Sequence, residues 1–383
     1  MQIGKAFRHL QRFDWLLILG VLVLFVFGVS AIYSVELSRE GSEFILVKKQ
    51  TIAFVLGCIA MIALARFNYL MLRNWGRALY LFGAILLVLV LIFGTTINGT
   101  TGWFVIFGIS FQPVEFMKIA LVIQLARYFG EHASRKFGWK EVFGSGFLVM
   151  VPVVLTMLQP DLGSAAILLG LWGVMLFFAG LRWLHAGALF GGVTLMGILG
   201  WIFVMADYQK QRLEVFLNPD LDPLETGYNI TQAKIAIGSG GFFGRGLGFG
   251  SQNQLQFLPE SQTDFIFSVI AEELGFFGVC ILFLAILLVL WRILRSAKLA
   301  KDHFSKFAIL GIFGLLTVQY VVNIGVNLSL LPATGIALPF VSAGGTSLLI
   351  SLAMIGILQS IAVRRRPGDE KIGQMLYNRQ ANS

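Results

Sequence analysis

The sequence predicts an all-α, polytopic integral membrane protein with about ten transmembrane helices and a large outward-facing loop between the seventh and the eighth. Three observations predict this fold class. The 383 residues are 57% hydrophobic and 13% charged, and the mean hydropathy of +0.81 is far from that of soluble globular domains. The apolar residues are grouped in long segments. The basic residues are concentrated in the connections that would lie on one side of a membrane.

The apolar segments have the length that a bilayer requires. About 18 to 25 residues of helix cross a hydrocarbon core of ~30 Å, and ten segments meet this requirement. The first is longer than the core of a signal peptide and is followed by no small-residue cleavage site, so we expect it to be retained. The fourth is the most polar, and a tight turn at 159–161 separates the fifth from the sixth. The predicted spans are residues 15–33 and about 44–65, 76–95, 112–130, 141–158, 162–180, 183–205, 264–292, 305–330 and 343–363.

The basic residues orient these spans, because Lys and Arg are enriched in cytoplasmic segments. With the N-terminus inside, all but eight of the 29 Lys and Arg residues fall in inside segments. Both termini are therefore predicted to be cytoplasmic, including a short tail at about 364–383, and the loop at about 207–263 faces outward. Topology and anionic lipid explain the net charge of +9, so no nucleic-acid partner is expected. The eight exceptions are Arg39, Lys48, Lys49, Lys118, Lys210, Arg212, Lys234 and Arg245.

The outward loop is rich in glycine and in large apolar residues. From Gly238 to Gly250, seven of the thirteen residues are glycine, so the backbone can adopt positive φ and approach another group closely. Phe and Leu side chains lie among these glycines, which is not typical of a solvated linker. We expect an ordered cap that closes over the outer helix ends. No G-K-[ST] pattern or βαβ unit accompanies the glycines, so a nucleotide site is not predicted.

Asp264 stands where this loop meets the eighth span, and two interpretations compete for it. A carboxylate at a membrane boundary is a candidate for function. The run Ser261-Gln262-Thr263-Asp264 also fits a helix-capping box. We favour function, because a capping box does not explain the glycine-rich loop beside it.

Three other charged residues lie near the outer ends of spans. Glu115 and Lys118 are three residues apart, on one face of a helix, and burial of both charges requires that they pair or face a polar cavity. A structural ion pair and a functional site fit this spacing equally well. Asp161 follows Gln159 and Pro160 at the start of a helix, where capping of free N–H groups is the simpler interpretation.

Five motifs, in this order along the chain, resemble the SEDS family of bacterial membrane proteins, named for shape, elongation, division and sporulation. The motifs are FQPVE at 111–115, QPDLG at 159–163, AIGSGG at 236–241, FLPESQTDFIFSVIAEELG at 257–275 and LPFVSAGGTS at 338–347. The opening FDWLLILG and the run SQNQLQFLPE are more similar to the RodA-like elongation branch than to the FtsW-like division branch. The resemblance covers nearly the whole chain and implies a single membrane domain over residues 1–383.

The resemblance implies a peptidoglycan glycosyltransferase that polymerises glycan strands from lipid II at the outer face of the bacterial cytoplasmic membrane during cell elongation. The implied partners are a class B penicillin-binding protein (a transpeptidase), lipid II and the growing glycan strand, membrane lipids and other membrane proteins of the elongation complex. Asp264 matches the family's catalytic aspartate, and we expect it to act as general base in an inverting displacement. The residues expected to bind substrate are Glu115, Lys118, Asp161, Lys234, Arg212, Arg245 and Glu260. The sequence fixes no metal site, although a divalent cation, Mg²⁺ or Mn²⁺, would help to neutralise the lipid diphosphate.

The chain departs from the family pattern at Gly102, Val114, Gln262 and Ala343, and the departure at Gly102 matters most. The family commonly has an arginine before the tryptophan that precedes FQP, whereas this chain has Gly102 before Trp103, so an obvious diphosphate ligand is missing. Two other classes of function remain open. A flippase for lipid-linked precursors would use the same charges without chemistry at Asp264, and a non-catalytic scaffold of the cell-wall synthesis complex would need neither.

Overall fold

The structure is a computed structural model that describes residues 12–38, 43–97, 99–106, 109–133, 137–181, 183–203, 210, 214–216, 218, 221–222 and 226–364. The described part of the chain is helical except for connecting turns and one small sheet. Its helices are α1 (Trp15–Leu37), α2 (Ile45–Arg66), α3 (Tyr69–Phe93), α4 (Pro113–His132), α5 (Trp139–Met157), α6 (Leu162–Phe178), α7 (Trp183–Phe203), α8 (Thr226–Ser239), α9 (Ser251–Gln254), α10 (Ile266–Lys298), α11 (His303–Asn327) and α12 (Gly345–Val363). The three strands are β1 (Thr95–Ile97), β2 (Thr100–Ile106) and β3 (Ile109–Phe111).

All ten predicted spans are helical, as α1–α7 and α10–α12. Within the described residues, seven of these helices are long and apolar enough to cross a membrane, namely α1, α2, α3, α5, α10, α11 and α12. Helix α6 is a shorter apolar helix of 17 residues. The predicted class, an all-α polytopic membrane protein, is confirmed.

Two helix boundaries differ from the prediction by six or more residues, and each has a local reason. Helix α3 begins at Tyr69 and not near residue 76, because the Asn68 side chain caps it by accepting a hydrogen bond from Leu70 N at 3.1 Å. Helix α10 continues past residue 292 to Lys298, and its last turn carries Arg295 and Lys298. Basic side chains in a last turn complement the helix dipole and extend toward water.

The sheet lies between α3 and α4 and is absent from the sequence prediction. Its strands pair in the order β1-β2-β3, all antiparallel, with Thr95 opposite Trp103 and Phe104 opposite Phe111. The Thr346 hydroxyl donates to Ser110 O at 3.0 Å and so fastens the sheet to the start of α12. The sheet therefore forms part of the same face as the helix ends described below.

The described helices pack with partners that are distant in sequence. Helix α12 lies against α2, α11 against α4, and α10 against α1. Of the seven helices that are long and apolar enough to cross a membrane, α11 and α12 are the most buried. In their most apolar 18-residue stretches, 72% and 78% of the residues are buried, compared with 22% in α2. Most residues of α4 are buried as well, so α4, α11 and α12 form the centre of the bundle. Because consecutive spans alternate in direction, α2, α4, α6, α10 and α12 all begin at one face. The distribution of basic residues predicts that this face is the outer one.

The glycine-rich run packs against a kink in α10. Gly275 interrupts that helix with φ 61° and ψ −163°, which frees the backbone groups around it. The loop satisfies these groups: Gly246 N donates to Glu273 O at 2.9 Å, and Phe276 N donates to Gly241 O at 2.9 Å. A Cβ on Gly244, where φ is +78°, would lie 2.1 Å from Glu273 O. The close approach that the glycines permit is thus to α10.

The loop is folded in the part that the structure describes, but its position differs from the expected one. Its outward orientation stays a prediction. Residues 226–263 form α8, α9 and turns, whereas most of 207–225 lies outside the described residues. The run 240–250 packs on α10 and beside Leu37, and does not line the cavity at the helix ends. The expected closure over Asp264 by this run is therefore wrong, because its backbone is bound to the kink.

Candidate functional site

A polar cavity of about 540 Å³ opens at the face where five helices begin. The first turns of α2, α4, α6 and α12 line it, together with the residues just before α10, the sheet and the loop between α11 and α12. A helix N-terminus carries unpaired N–H groups and a partial positive charge, so this arrangement favours anionic groups in the cavity. The lining includes Lys49, Trp103, Ser110, Gln112, Glu115, Lys118, Asp161, Asn229, Glu260, Gln262, Asp264, Gly335, Gly344, Thr346 and Ser347.

The cavity brings together five of the eight site residues that the sequence analysis selected. These five are Glu115, Lys118, Asp161, Glu260 and Asp264.

Of the other three selected residues, two do not line the cavity and one is not among the described residues. Lys234 is exposed on α8, and Arg245 lies in the run bound to α10 with its Nε donating to Ser239 O at 3.3 Å. Neither of them lines the cavity. Arg212 lies outside the described residues. Contact of these three cations with substrate stays a prediction.

Glu115 and Lys118 form a buried ion pair at the start of α4. Lys118 Nζ lies 2.7 Å from Glu115 Oε1, and the two side chains are 4% and 10% exposed. Both groups also line the cavity. The ion pair and a position in the cavity wall therefore occur together, because the first turn of α4 forms part of that wall. The functional role of the pair stays a prediction.

Asp161 is both a helix cap and part of the cavity lining. It is the N-cap of α6, where its Oδ1 accepts a hydrogen bond from Ser164 N at 2.9 Å, so the capping prediction is confirmed. Gly163 permits the next contact, since a Cβ there would lie 2.1 Å from Thr334 O. The capped end of α6 is thus held directly against the loop that forms another wall of the cavity.

Asp264 does not cap α10. That helix begins at Ile266, with Phe265 as its N-cap and no side-chain cap. The N–H groups of Thr263 and Asp264 both donate to Glu260 O at 3.1 Å, so Asp264 lies in a turn that precedes the helix. The capping-box interpretation is therefore wrong.

The Asp264 carboxylate faces the loop between α11 and α12. Its Oδ2 lies 3.8 Å from the position that a Cβ on Gly335 would occupy. Gly335 has φ +70°, which favours glycine, so the wall opposite the carboxylate is bare backbone. This leaves space beside the carboxylate inside the cavity.

Lys49 is a cavity cation that the sequence analysis did not select. It lines the cavity from the start of α2, and it forms no salt bridge among the residues that the structure describes. The adjacent Gln50 is buried and connects α2 to α12, because its Nε2 donates to Ser342 O at 3.0 Å and its Oε1 accepts from Gly344 N at 3.2 Å. The sequence does indicate Lys49, because it is a basic residue at the predicted outer end of a span. The sequence analysis names it only as an exception to the enrichment of Lys and Arg in inside segments.

A divalent cation remains compatible with the cavity only if the substrate supplies ligands. Within the described residues, no three His, Cys, Asp or Glu side chains are grouped so that they could hold a metal ion. Mg²⁺ is commonly bound by one or two carboxylates together with substrate phosphates, and both Glu260 and Asp264 line the cavity. The cation stays a prediction.

Comparison with known proteins identifies the class to which this fold and site belong. The family model for FtsW, RodA and SpoVE, described as "Cell cycle protein", matches residues 10–367. The chain therefore belongs to the FtsW/RodA/SpoVE family, which is the SEDS family that its motifs resemble.

Particular relatives are similar over almost their full length. The chain is 39% identical over 371 residues to the probable peptidoglycan glycosyltransferase FtsW of Trichlorobacter lovleyi, with 94% of this chain and 95% of the relative covered. The rod shape determining protein RodA of Thermus thermophilus has a similar structure, with a TM-score of 0.70, 30% identity, and 93% and 98% of the two chains covered. A chain of a peptidoglycan synthase complex that coordinates polymerization and crosslinking gives a TM-score of 0.77 at 31% identity, with 91% and 97% covered.

Proposed function

We propose that this protein is a peptidoglycan glycosyltransferase that polymerises lipid II at the outer face of the bacterial cytoplasmic membrane. The observation that carries the proposal is the cavity, in which Asp264 lies with the Glu115–Lys118 pair at a face formed by helix N-termini. The name of the FtsW relative supports the reaction. The FDWLLILG and SQNQLQFLPE segments support a role in cell elongation.

Asp264 is the proposed general base. The hydroxyl of the acceptor sugar is a weak nucleophile, and removal of its proton by a carboxylate within hydrogen-bond reach assists its attack on the anomeric carbon of the donor. The bond from that carbon to the lipid diphosphate breaks as the new glycosidic bond forms. One displacement inverts the anomeric configuration and needs one base. Asp264 is suited to this role because it lines the cavity without serving as a helix cap.

The leaving diphosphate needs positive charge near it. Lys49 and Lys118 line the cavity, as do the first turns of α4, α6 and α12. Ammonium groups and oriented N–H groups are the usual ligands of phosphate oxygens. Lys49 thus supplies a cation in a chain that has Gly102 at the position of the family arginine. Glu115, whose carboxylate holds Lys118, and the α6 cap Asp161 act beside the substrate. Glu260, in the turn that carries Asp264, is the remaining proposed substrate ligand.

The proposed setting follows from the topology and the relatives. Both termini are in the cytoplasm and the cavity faces outward, where lipid II and the growing strand are available. The partner is a class B penicillin-binding protein, which is consistent with the similar chain in a complex that couples polymerization to crosslinking. Residues 1–383 act as one membrane domain within the elongation complex.

The test uses purified full-length protein in two formats, with and without the cross-linking partner. Incubation with lipid II in detergent measures glycan polymer, and reconstitution in vesicles that carry lipid II in one leaflet measures its transfer across the bilayer. The proposal expects polymer from the wild-type chain and none from Asp264→Asn. Transfer without polymer would instead support a flippase, and neither activity in the presence of the partner would support a scaffold.

A further inference from the structure

Two buried amide side chains of α11 bind the backbone of Asp264 from behind. Asn323 Nδ2 donates to Asp264 O at 3.0 Å, and Asn327 Nδ2 donates to the same oxygen at 2.8 Å. The two residues are 1% and 0% exposed, and neither lines the cavity. They reach Asp264 from the interior of the bundle, so substrate in the cavity would not touch them.

Asn327 fixes the turn of Asp264 relative to the start of α10. Its Oδ1 accepts hydrogen bonds from the backbone N of Ser268 at 3.1 Å and from the Ser268 hydroxyl at 2.7 Å. Its Nδ2 also donates to Asn323 O at 2.9 Å. Rotation of this amide would break bonds at both ends, and each broken bond would leave a buried polar group unsatisfied. The amide is therefore locked, and it locks the carbonyl of Asp264 with it.

Asn323 fixes the turn of Asp264 relative to the opposite wall of the cavity. The same Nδ2 that donates to Asp264 O also donates to Ile336 O at 2.7 Å. Ile336 follows Gly335, the bare backbone position beside the Asp264 carboxylate. One nitrogen thus sets the distance between the turn that carries the carboxylate and the loop that faces it.

We propose that Asn323 and Asn327 are positioning residues that hold the Asp264 carboxylate in its reactive orientation. This inference rests on the proposed role of Asp264 as general base. The two amides act on the backbone of Asp264 and on the segments that they connect to it, and not on the substrate, since they lie outside the cavity. The expected cost of losing them is in the chemical step, because misplacement of a reacting group by about 1 Å can lower the rate about 100-fold.

The test compares the buried amides behind Asp264 with a buried amide elsewhere in the bundle. This comparison separates an effect on turnover from an effect on stability. The variants Asn323→Ala and Asn327→Ala are assayed for lipid II polymerisation, with kcat, KM and thermal midpoint measured on the full chain. We expect kcat to fall about 10- to 100-fold with KM for lipid II changed less than about threefold, which indicates an effect realised at the transition state.

The matched control is Gln359→Ala. Gln359 is 0% exposed on α12 and binds the backbone of Asp14 in the same manner, with Oε1 accepting from Asp14 N at 2.8 Å and Nε2 donating to Asp14 O at 3.2 Å. It does not line the cavity. Its loss should lower the thermal midpoint to a similar extent while kcat stays within about twofold.

A second variant keeps the inference testable if the asparagine variants fail to fold. Ser268→Ala removes one hydroxyl donor to Asn327 and keeps the backbone bond, and we expect a kcat loss of about threefold or more with unchanged KM. Wild-type kcat in the folded asparagine variants, or in Ser268→Ala if they are unfolded, would overturn positioning. Asp264→Asn is assayed in parallel: if it polymerises, the role of Asp264 fails, and if wild-type protein makes no polymer, the proposed function fails.

Discussion

Removal of one partner of the Glu115–Lys118 pair is expected to destabilise the protein far more than the same change at a surface pair. The two side chains are 10% and 4% exposed, with 2.7 Å between Nζ and Oε1. Truncation of one partner of a buried pair leaves an uncompensated charge, which costs about 3–5 kcal/mol. Both groups also border the cavity, where water can partly solvate a charge that has lost its partner. We therefore expect Glu115→Gln and Lys118→Met each to lower the free energy of unfolding by about 3 kcal/mol, the lower end of this range.

The matched control lies on the same helix. Arg127 and Glu131 form a pair with 2.9 Å between Nε and Oε1, and their side chains are 19% and 37% exposed. An exposed i,i+4 pair contributes about 0.3–0.5 kcal/mol, so Glu131→Gln should have little effect. At about 2 °C per kcal/mol, the expected loss of Tm is about 6 °C for the buried pair and about 1 °C for the control. Equal shifts in purified, detergent-solubilised protein would refute the reasoning.

The charge-reversed double variant, Glu115→Lys with Lys118→Glu, separates structure from function. It restores an ion pair on the same helix face, so Tm should recover relative to the single variants. Polymerisation should not recover if Lys118 must present its ammonium group to the diphosphate. Recovery of both Tm and full activity would mean that the pair is structural only.

Three further predictions concern the loop and the second cavity cation. Gly244→Ala should destabilise by about 1–3 kcal/mol because of its positive φ and the contact described above, whereas Gly238→Ala, with nothing within 4 Å of an added Cβ, should not change Tm. Lys49→Met should raise KM for lipid II by about tenfold or more, because a hydrogen bond from a charged group is lost. The control is Lys48→Met, since Lys48 does not line the cavity. Equal KM values for the two variants would contradict the assignment of Lys49 as a substrate ligand. Hydrogen exchange should be slow where loop N–H groups bind α10, and fast uniform exchange across 228–258 would contradict the packed loop.

The sequence predicted the helices because their signal is local. A span of about 20 apolar residues is defined by the bilayer alone, so all ten spans are found as helices. The small sheet was missed because β1 and β3 have three residues each, too few to show an alternating pattern. The kink at Gly275 was also not predicted. The backbone groups that the kink leaves unpaired are hydrogen-bonded by a loop about thirty residues away in sequence, and local sequence does not indicate such a contact.

The site residues that could be predicted are those whose residue type is unusual near a membrane span. Those whose role depends on a contact between distant parts of the chain could not be predicted. Asp264, Glu115 and Lys118 stand out as charges near membrane spans, and Asp264 and Glu115 also lie within the family motifs. The interpretation of Asp264 as a cap fitted the sequence pattern but failed, because a turn closed by the Glu260 carbonyl places the helix start two residues later. The amide of Asn327 gives no local signal, since its role depends on which backbone it meets.

The turnover of Asp264→Asn at saturating lipid II, relative to wild type, is the most direct measurement of whether this carboxylate is the base. Asn has nearly the same shape and cannot accept the proton, and a general base contributes about 10²- to 10⁴-fold to the rate. With lipid II binding and Tm unchanged, turnover should fall at least about 100-fold. Turnover within about tenfold of wild type would contradict the assignment of Asp264 as general base.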